Sequence, residues 1–321
     1  MLRAAPFLCL LACARGPAQL PGTVPPPRNY AVQVSHRDLV DPARGTPQNG
    51  SAPGLDHRNL PTEIWTPQGA GPFPLVLFVH GSSGFRTNST FLMQALARDG
   101  YVVAAADFPL TSLNTPGGPS DWHVEDQLGD LTFLADQLHA TEYAVVGHST
   151  GGTVALLAAQ APYPHDPRVR AAAVLSGDSC FLGDALFATR AVPMLYLNAT
   201  RDLLVPAPTN GVRAFALSKK PRMQVTLLGG THLFFTDLDL ADDLGGEAVP
   251  TRLSDPLAQT LRAYGGGTGC EPVPPPGAEA PLPFEAQHVL TAQAVAAFLD
   301  QVFRREEPAL DDARLQAVLD L

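Results

Sequence analysis

Lysine is almost missing from this chain. Among 321 residues it stands only at Lys219 and Lys220, and 31 Asp and Glu outweigh 21 Lys and Arg to leave a formal net charge of −10. Binding nucleic-acid phosphates or anionic lipid by charge needs a concentrated basic surface, so neither is expected as a partner. The acidic residues are scattered, which reads as a solvated surface and not as an acidic tail. Cysteine is scarce as well. There are four, with no Cys-x-x-Cys pair and no Cys/His spacing suited to zinc, so no metal site is expected. No apolar run reaches the roughly 18 residues of a membrane-spanning helix. No internal repeat is visible, which excludes solenoids and propellers.

What is present is ample for a core, with 45% hydrophobic residues. The 32 prolines crowd near the start and around Pro272–Pro283, as in linkers and loops. Met1-Leu2-Arg3 leads into an apolar run, Ala4–Ala12, too short to anchor in a bilayer, so residues 1–14 read as an export signal. Two endings are open. Leu10-Leu11-Ala12-Cys13 has the form of a bacterial lipobox, with Cys13 lipidated and serving as a membrane tether. Ala12-Cys13-Ala14 also fits ordinary signal cleavage. The proline-rich stretch 15–29 reads as a tether and favours the lipoprotein, and residues 30–321 form the domain. The expected location is periplasmic, cell-envelope or secreted. With Cys9 and Cys13 in the signal, Cys180 and Cys270 remain to form a disulfide.

Strands and helices alternate along the domain. Tyr30–Val34 and Leu60–Pro67 read as strands joined through a Gly/Pro/Asn/Ser-rich loop, 45–57. Pro74–Val79, Tyr101–Ala106, Tyr143–Val146, Ala171–Ser176, Pro193–Asn198 and Met223–Leu228 are short apolar runs, the mark of buried parallel strands. Helical spacing falls on Phe91–Arg98, Asp121–His139, Thr153–Gln160, Pro208–Leu217 and Thr291–Phe303. This order predicts an α/β fold with a mostly parallel central sheet and helices on both faces.

The most informative stretch is Gly147-His148-Ser149-Thr150-Gly151, between a buried strand and a helix. This is the G-x-S-x-G pattern of a nucleophile elbow, in which a serine occupies a strained turn and its neighbours two positions away must be small. His148 supports the turn in this reading and has no catalytic role. A nucleophilic serine needs a base, a group to orient that base, and donors for an oxyanion. Asp202 follows the strand Pro193–Asn198 and is the expected acid; Asp178, after the preceding strand, is its competitor. His232 follows Met223–Leu228 through a glycine turn and is the expected base. The other downstream histidines fit less well: His165 lies in a proline-rich loop, and His288 comes just before the last helix and not after a strand. The N–H groups of Ser82 and Thr150 are the expected oxyanion pair, with Ser83 as fallback for the first.

Several spaced motifs carry a family resemblance: Arg37-Asp-Leu-Val-Asp-Pro-Ala-Arg44, Leu60-Pro-Thr-Glu-Ile-Trp65, Phe78-Val-His-Gly81, Gly100-Tyr-Val-Val-Ala104, Gly147-His-Ser-Thr-Gly-Gly152 and Gly230-Thr-His232. Together they resemble bacterial dienelactone-hydrolase-like esterases of the α/β-hydrolase superfamily, close in style to platelet-activating-factor acetylhydrolase-like and polyester-hydrolase-like members. The resemblance implies a Ser-His-Asp carboxylic-ester hydrolase without a cofactor, and lands on Ser149, Asp202 and His232. A dienelactone hydrolase proper uses a cysteine nucleophile, so Ser149 departs from that activity. Residues 237–283 also depart, as a loop-rich insertion before the last helix that reads as a lid or as a surface loop. The expected substrate is a neutral or apolar, small or lipid-like ester. Acyl transfer through the same residues, and a catalytically silent binding protein on the same fold, are the rival readings.

Overall fold

The central strands are buried on both sides. In β3 (Leu75–Val79), Leu75, Leu77 and Val79 pack into one apolar layer, while Val76 and Phe78 pack into the opposite one. Full burial of side chains such as Leu77 and Phe78 contributes about 1.5–3 kcal/mol each. This is why an unbroken apolar run, and not an alternating one, marks the strand. The computed structural model describes residues 28–120, 123–162, 165–238, 270 and 279–320. The export signal, all but the last two residues of the tether, and most of 237–283 lie outside the described residues.

Nine strands form one sheet in the order β1-β2-β4-β3-β5-β6-β7-β8-β9. They are β1 (Ala31–Asp41), β2 (Arg58–Gln68), β3, β4 (Val102–Ala106), β5 (Tyr143–His148), β6 (Val169–Leu175), β7 (Met194–Ala199), β8 (Arg222–Leu227) and β9 (Leu315–Asp320). From β4 to β8 every neighbouring pair is parallel. The β1–β2 hairpin adds antiparallel at one edge and β9 at the other.

Helices cover both faces. The layer that holds Leu77 and Val145 takes α2 (Gln127–Gln137), α3 (Thr150–Gln160), α4 (Asp184–Phe187) and α5 (Arg213–Leu217). The layer that holds Phe78 and Val146 takes α1 (Thr90–Arg98) and α6 (Phe284–Arg304). In α1 the buried stripe is Leu92, Met93, Leu96 and Ala97, and Gly100 follows at φ +92°, a conformation that ends the helix cleanly.

The predicted elements are all present, with shifted bounds. β1 runs on to Asp41, beyond the alternating Tyr30–Val34, because its pairing with β2 and not its own apolar face sustains it. The helix expected from Asp121 is a 3-10 turn at Val124–Asp126 followed by α2. The one expected over Pro208–Leu217 is a π-type turn, Pro208–Val212, leading into α5. The last helix starts at Phe284, so His288 lies within it and not before it. Its polar first turns are held by tertiary contacts that the sequence does not display. β9 and α4 escaped the sequence reading altogether.

Candidate active site

The C-terminal ends of the parallel strands gather every predicted residue on one edge of the sheet. β5 ends at His148, and Ser149 turns the chain into α3 with φ +55° and ψ −125°. That region is sparsely populated for a residue with a side chain, and costs on the order of 1–3 kcal/mol. The flanking glycines are forced by close approach. A Cβ at Gly147 would stand 2.0 Å from the Gly151 carbonyl oxygen, and one at Gly151 would stand 2.1 Å from the Val79 carbonyl oxygen. The Ser149 N–H donates to the Leu175 carbonyl at 3.0 Å, which fixes the turn to β6. Ser149 remains partly accessible, Thr150, Asp202 and His232 are buried, and Ser82 is exposed.

His232 and Asp202 meet through a buried hydrogen bond. The His232 Nδ1–H donates to Asp202 Oδ2 at 2.7 Å. The other carboxylate oxygen accepts the N–H groups of Leu204 at 2.9 Å and Val205 at 2.7 Å. With Nδ1 carrying the hydrogen, Nε2 of His232 keeps its lone pair, the state a general base requires. Burial pulls the His232 pKa down. Asp202, by charge and by hydrogen bond, and Asp178, by charge, outweigh that pull and raise it above the ordinary value.

The loop after β3 lies against the elbow. Gly81 approaches so closely that a Cβ there would be 3.0 Å from Ser149 Cβ. His80 orients this loop. Its Nδ1–H donates to the Gly81 carbonyl at 2.8 Å, and its Nε2 accepts the Phe108 N–H at 3.3 Å. Burial holds His80 neutral, below its ordinary pKa, against the pull of the Gly81 carbonyl and Asp107. Ser83 is left-handed at φ +58°, and its N–H donates to the Thr111 carbonyl at 2.9 Å. That N–H is therefore spent, which removes the fallback oxyanion donor. Thr150 opens α3, where the first N–H groups have no partner within the helix.

A profile of the alpha/beta hydrolase fold family matches residues 74–192, from the start of β3 to the approach to β7. The chain has the α/β-hydrolase fold. A solved ferulic acid esterase from Streptomyces cinnamoneus superposes with a TM-score of 0.60 at 22% identity, over 93% of this chain and 98% of that one. A mouse sn-1-specific diacylglycerol lipase, ABHD11, is 33% identical over 139 residues, 42% of this chain and 45% of its own length. A bovine platelet-activating factor acetylhydrolase is 22% identical over 223 residues, 53% of this chain and 49% of its own. The chain thus spans about half the length of the curated relatives it matches.

Within this hydrolase fold, several residues that hold the site were not singled out in the sequence. Gln287, on the unforeseen first turns of α6, accepts the Thr231 N–H at 2.9 Å and donates to the Thr231 carbonyl at 2.8 Å. Asp107, just past β4, accepts the Arg86 N–H at 2.7 Å and an Asn114 amide hydrogen at 3.0 Å, bracing the loop that contains Ser82. Past His232, Phe234 packs edge-on against Phe284, which packs on His288, which stacks on Phe91 at 3.6 Å. A carboxylate after a strand and an apolar helix face have sequence signals; a glutamine that reaches a loop 56 positions away has none. The predicted Cys180–Cys270 disulfide is present, a bond that persists in oxidising compartments. Among the described residues no helix is long and apolar enough to cross a membrane, and no group of His, Cys, Asp and Glu could hold a metal ion.

Proposed function

We propose that the protein is an exported serine carboxylic-ester hydrolase that works through Ser149, His232 and Asp202. The observation that carries this reading is the buried His232–Asp202 pair at 2.7 Å, on the same sheet edge as a serine held in a strained turn. The ester-hydrolysing relatives named above agree with it. The Cys180–Cys270 disulfide and the apolar start of the sequence support export.

Ser149 Oγ attacks the ester carbonyl carbon as its proton passes to His232 Nε2. Asp202 keeps the hydrogen on Nδ1 and stabilises the imidazolium that forms. The negative charge moves to the carbonyl oxygen, which the N–H groups of Ser82 and Thr150 receive; one such donor is worth about 10²–10³ in rate. Collapse breaks the bond to the alcohol, which leaves with the proton from His232. Water, deprotonated by His232, then releases the acid from Ser149. The substrate is a neutral or apolar ester.

The test is hydrolysis of p-nitrophenyl esters from acetate to laurate by the purified mature chain, with fluorophosphonate labelling alongside. The expected result is turnover and labelling in the wild type, and loss of both in Ser149→Ala, with kcat down by about 10⁴-fold or more. A wild type that neither turns over any ester nor takes the label would overturn the reading.

A further inference from the structure

His148 sits between Gly147 and Ser149 and has no part in the steps above. It is nonetheless 4% exposed and aimed across the site. Its Nε2 lies 3.1 Å from the main-chain carbonyl oxygen of His232. A carbonyl only accepts, so Nε2 carries the hydrogen and Nδ1 the lone pair. The two imidazoles lie 4.6 Å apart, inclined at 44°, and the ring of Phe235 flanks His148 at 5.6 Å.

These contacts join the two halves of the proposed machinery. His148 belongs to the end of β5, whose main chain is locked by the glycine approaches and by the bond from Ser149 to β6. His232 belongs to a loop beyond β8. That loop is held on its N-terminal side through Thr231 by Gln287, and through its side chain by Asp202. At the peptide that follows the His232 Cα, the carbonyl accepts the Phe235 N–H of its own turn at 3.3 Å, and the His148 N–H is the contact that ties it to β5.

We propose that His148 is a positioning residue, whose Nε2–H fixes the main chain of His232 relative to the nucleophile next to which His148 itself stands. This rests on the reading of Ser149 and His232 as nucleophile and base. The geometry also requires His148 to stay neutral, because a charged ring would face the imidazolium that His232 becomes. Burial, and then the neighbouring His232, push the His148 pKa well below its ordinary value, against the weaker pull of the His232 carbonyl. The other charged groups acting on the imidazole pair are Asp202, from the turn after β7, and Asp178, from the turn after β6.

The experiment compares two variants of the full chain. His148→Gln keeps an N–H at the same reach from Cβ; His148→Phe keeps a ring and loses the donor. Steady-state kinetics on a p-nitrophenyl ester, the fluorophosphonate labelling rate of Ser149, the pH profile and the melting temperature are read together. The expected result is a fall in kcat of about 10–100-fold for His148→Phe, with KM within about 2-fold and labelling slowed in step, since a small misplacement of a catalytic group costs about that much. His148→Gln returns to within about 3-fold of the wild type. The acidic limb of the profile stays in place in His148→Gln, because His148 is not the group that titrates there. Wild-type kcat in His148→Phe, a loss confined to KM, or His148→Gln impaired as far as His148→Phe would overturn the proposal. Wild type that is inert and unlabelled marks instead the failure of the underlying reading, and takes this one with it.

Discussion

The turns after β6 and β7 are neighbours on one sheet edge, each carries an aspartate, and both aspartates act on His232. They are built in opposite ways. Asp202 closes its own turn: one carboxylate oxygen takes the N–H groups of Leu204 and Val205, and the other takes His232. The turn after β6 is held from outside. Asn210 Oδ1 accepts the N–H groups of Ser179 and Cys180 at 2.8 and 2.9 Å. The Arg213 guanidinium reaches the carbonyls of Ser179 and Leu182 at 3.2 and 2.9 Å, and the Thr153 hydroxyl donates to the Asp178 carbonyl at 2.6 Å. Cys180 is bonded to Cys270 besides. A carboxylate clamped by its own main chain presents one oxygen in one direction, as orienting an imidazole demands. Asp178, on a turn clamped by other residues, acts on His232 by charge.

Three measurements break or sharpen this contrast. The largest effect falls on activity. Asp202→Asn is expected to lower kcat/KM on a p-nitrophenyl ester by about 10³–10⁴-fold, because His232 loses its tautomer, while Asp178→Asn loses less than about 10-fold. Equal losses in the two variants would erase the distinction. Next comes stability. Asn210 is 3% exposed, and Asn210→Ala leaves the buried Ser179 N–H and the part-buried Cys180 N–H without their acceptor, at about 1–3 kcal/mol in urea unfolding. Its kcat is expected to stay within a few-fold of the wild type, since the N–H groups of Leu204 and Val205 and the ring of His232 still hold the Asp202 carboxylate. The smallest effect is on pH. His232 must be neutral to act as a base, and its pKa is raised, so kcat/KM falls as pH drops through a value above that of a free histidine. Removing the Asp178 charge by Asp178→Asn moves that acidic limb to lower pH; an unmoved limb would show that the charge does not reach the ring.

The sheet was legible because its strands are buried on both faces, and such strands advertise themselves as apolar runs: Leu75–Val79 and Tyr143–Val146 needed no partner to be seen. β9 is largely exposed and exists because β8 offers it an open edge, so Leu315–Asp320 carries no pattern of its own. The elbow was legible through Gly147 and Gly151, whose close contacts admit no larger residue. Asp202 and Asp178 looked alike, each a carboxylate just past a buried strand. What separates them is where His232 arrives, from 30 positions beyond Asp202, and that is not local to either aspartate. His148 was read as part of the turn for the same reason, since the carbonyl it meets lies 84 positions away.

The backbone at Ser149 has one further implication. At φ +55° and ψ −125° glycine is the residue that sits at ease, and any side chain costs stability, by about 1 kcal/mol or more. A chain shaped only by the need to fold would drift to glycine at that position, through one substitution that relaxes the turn and disturbs no core packing. The serine is thus a standing handicap in the competition among folded sequences. Under the proposed reading of Ser149 as nucleophile, its presence reflects selection for the hydroxyl and not for the scaffold.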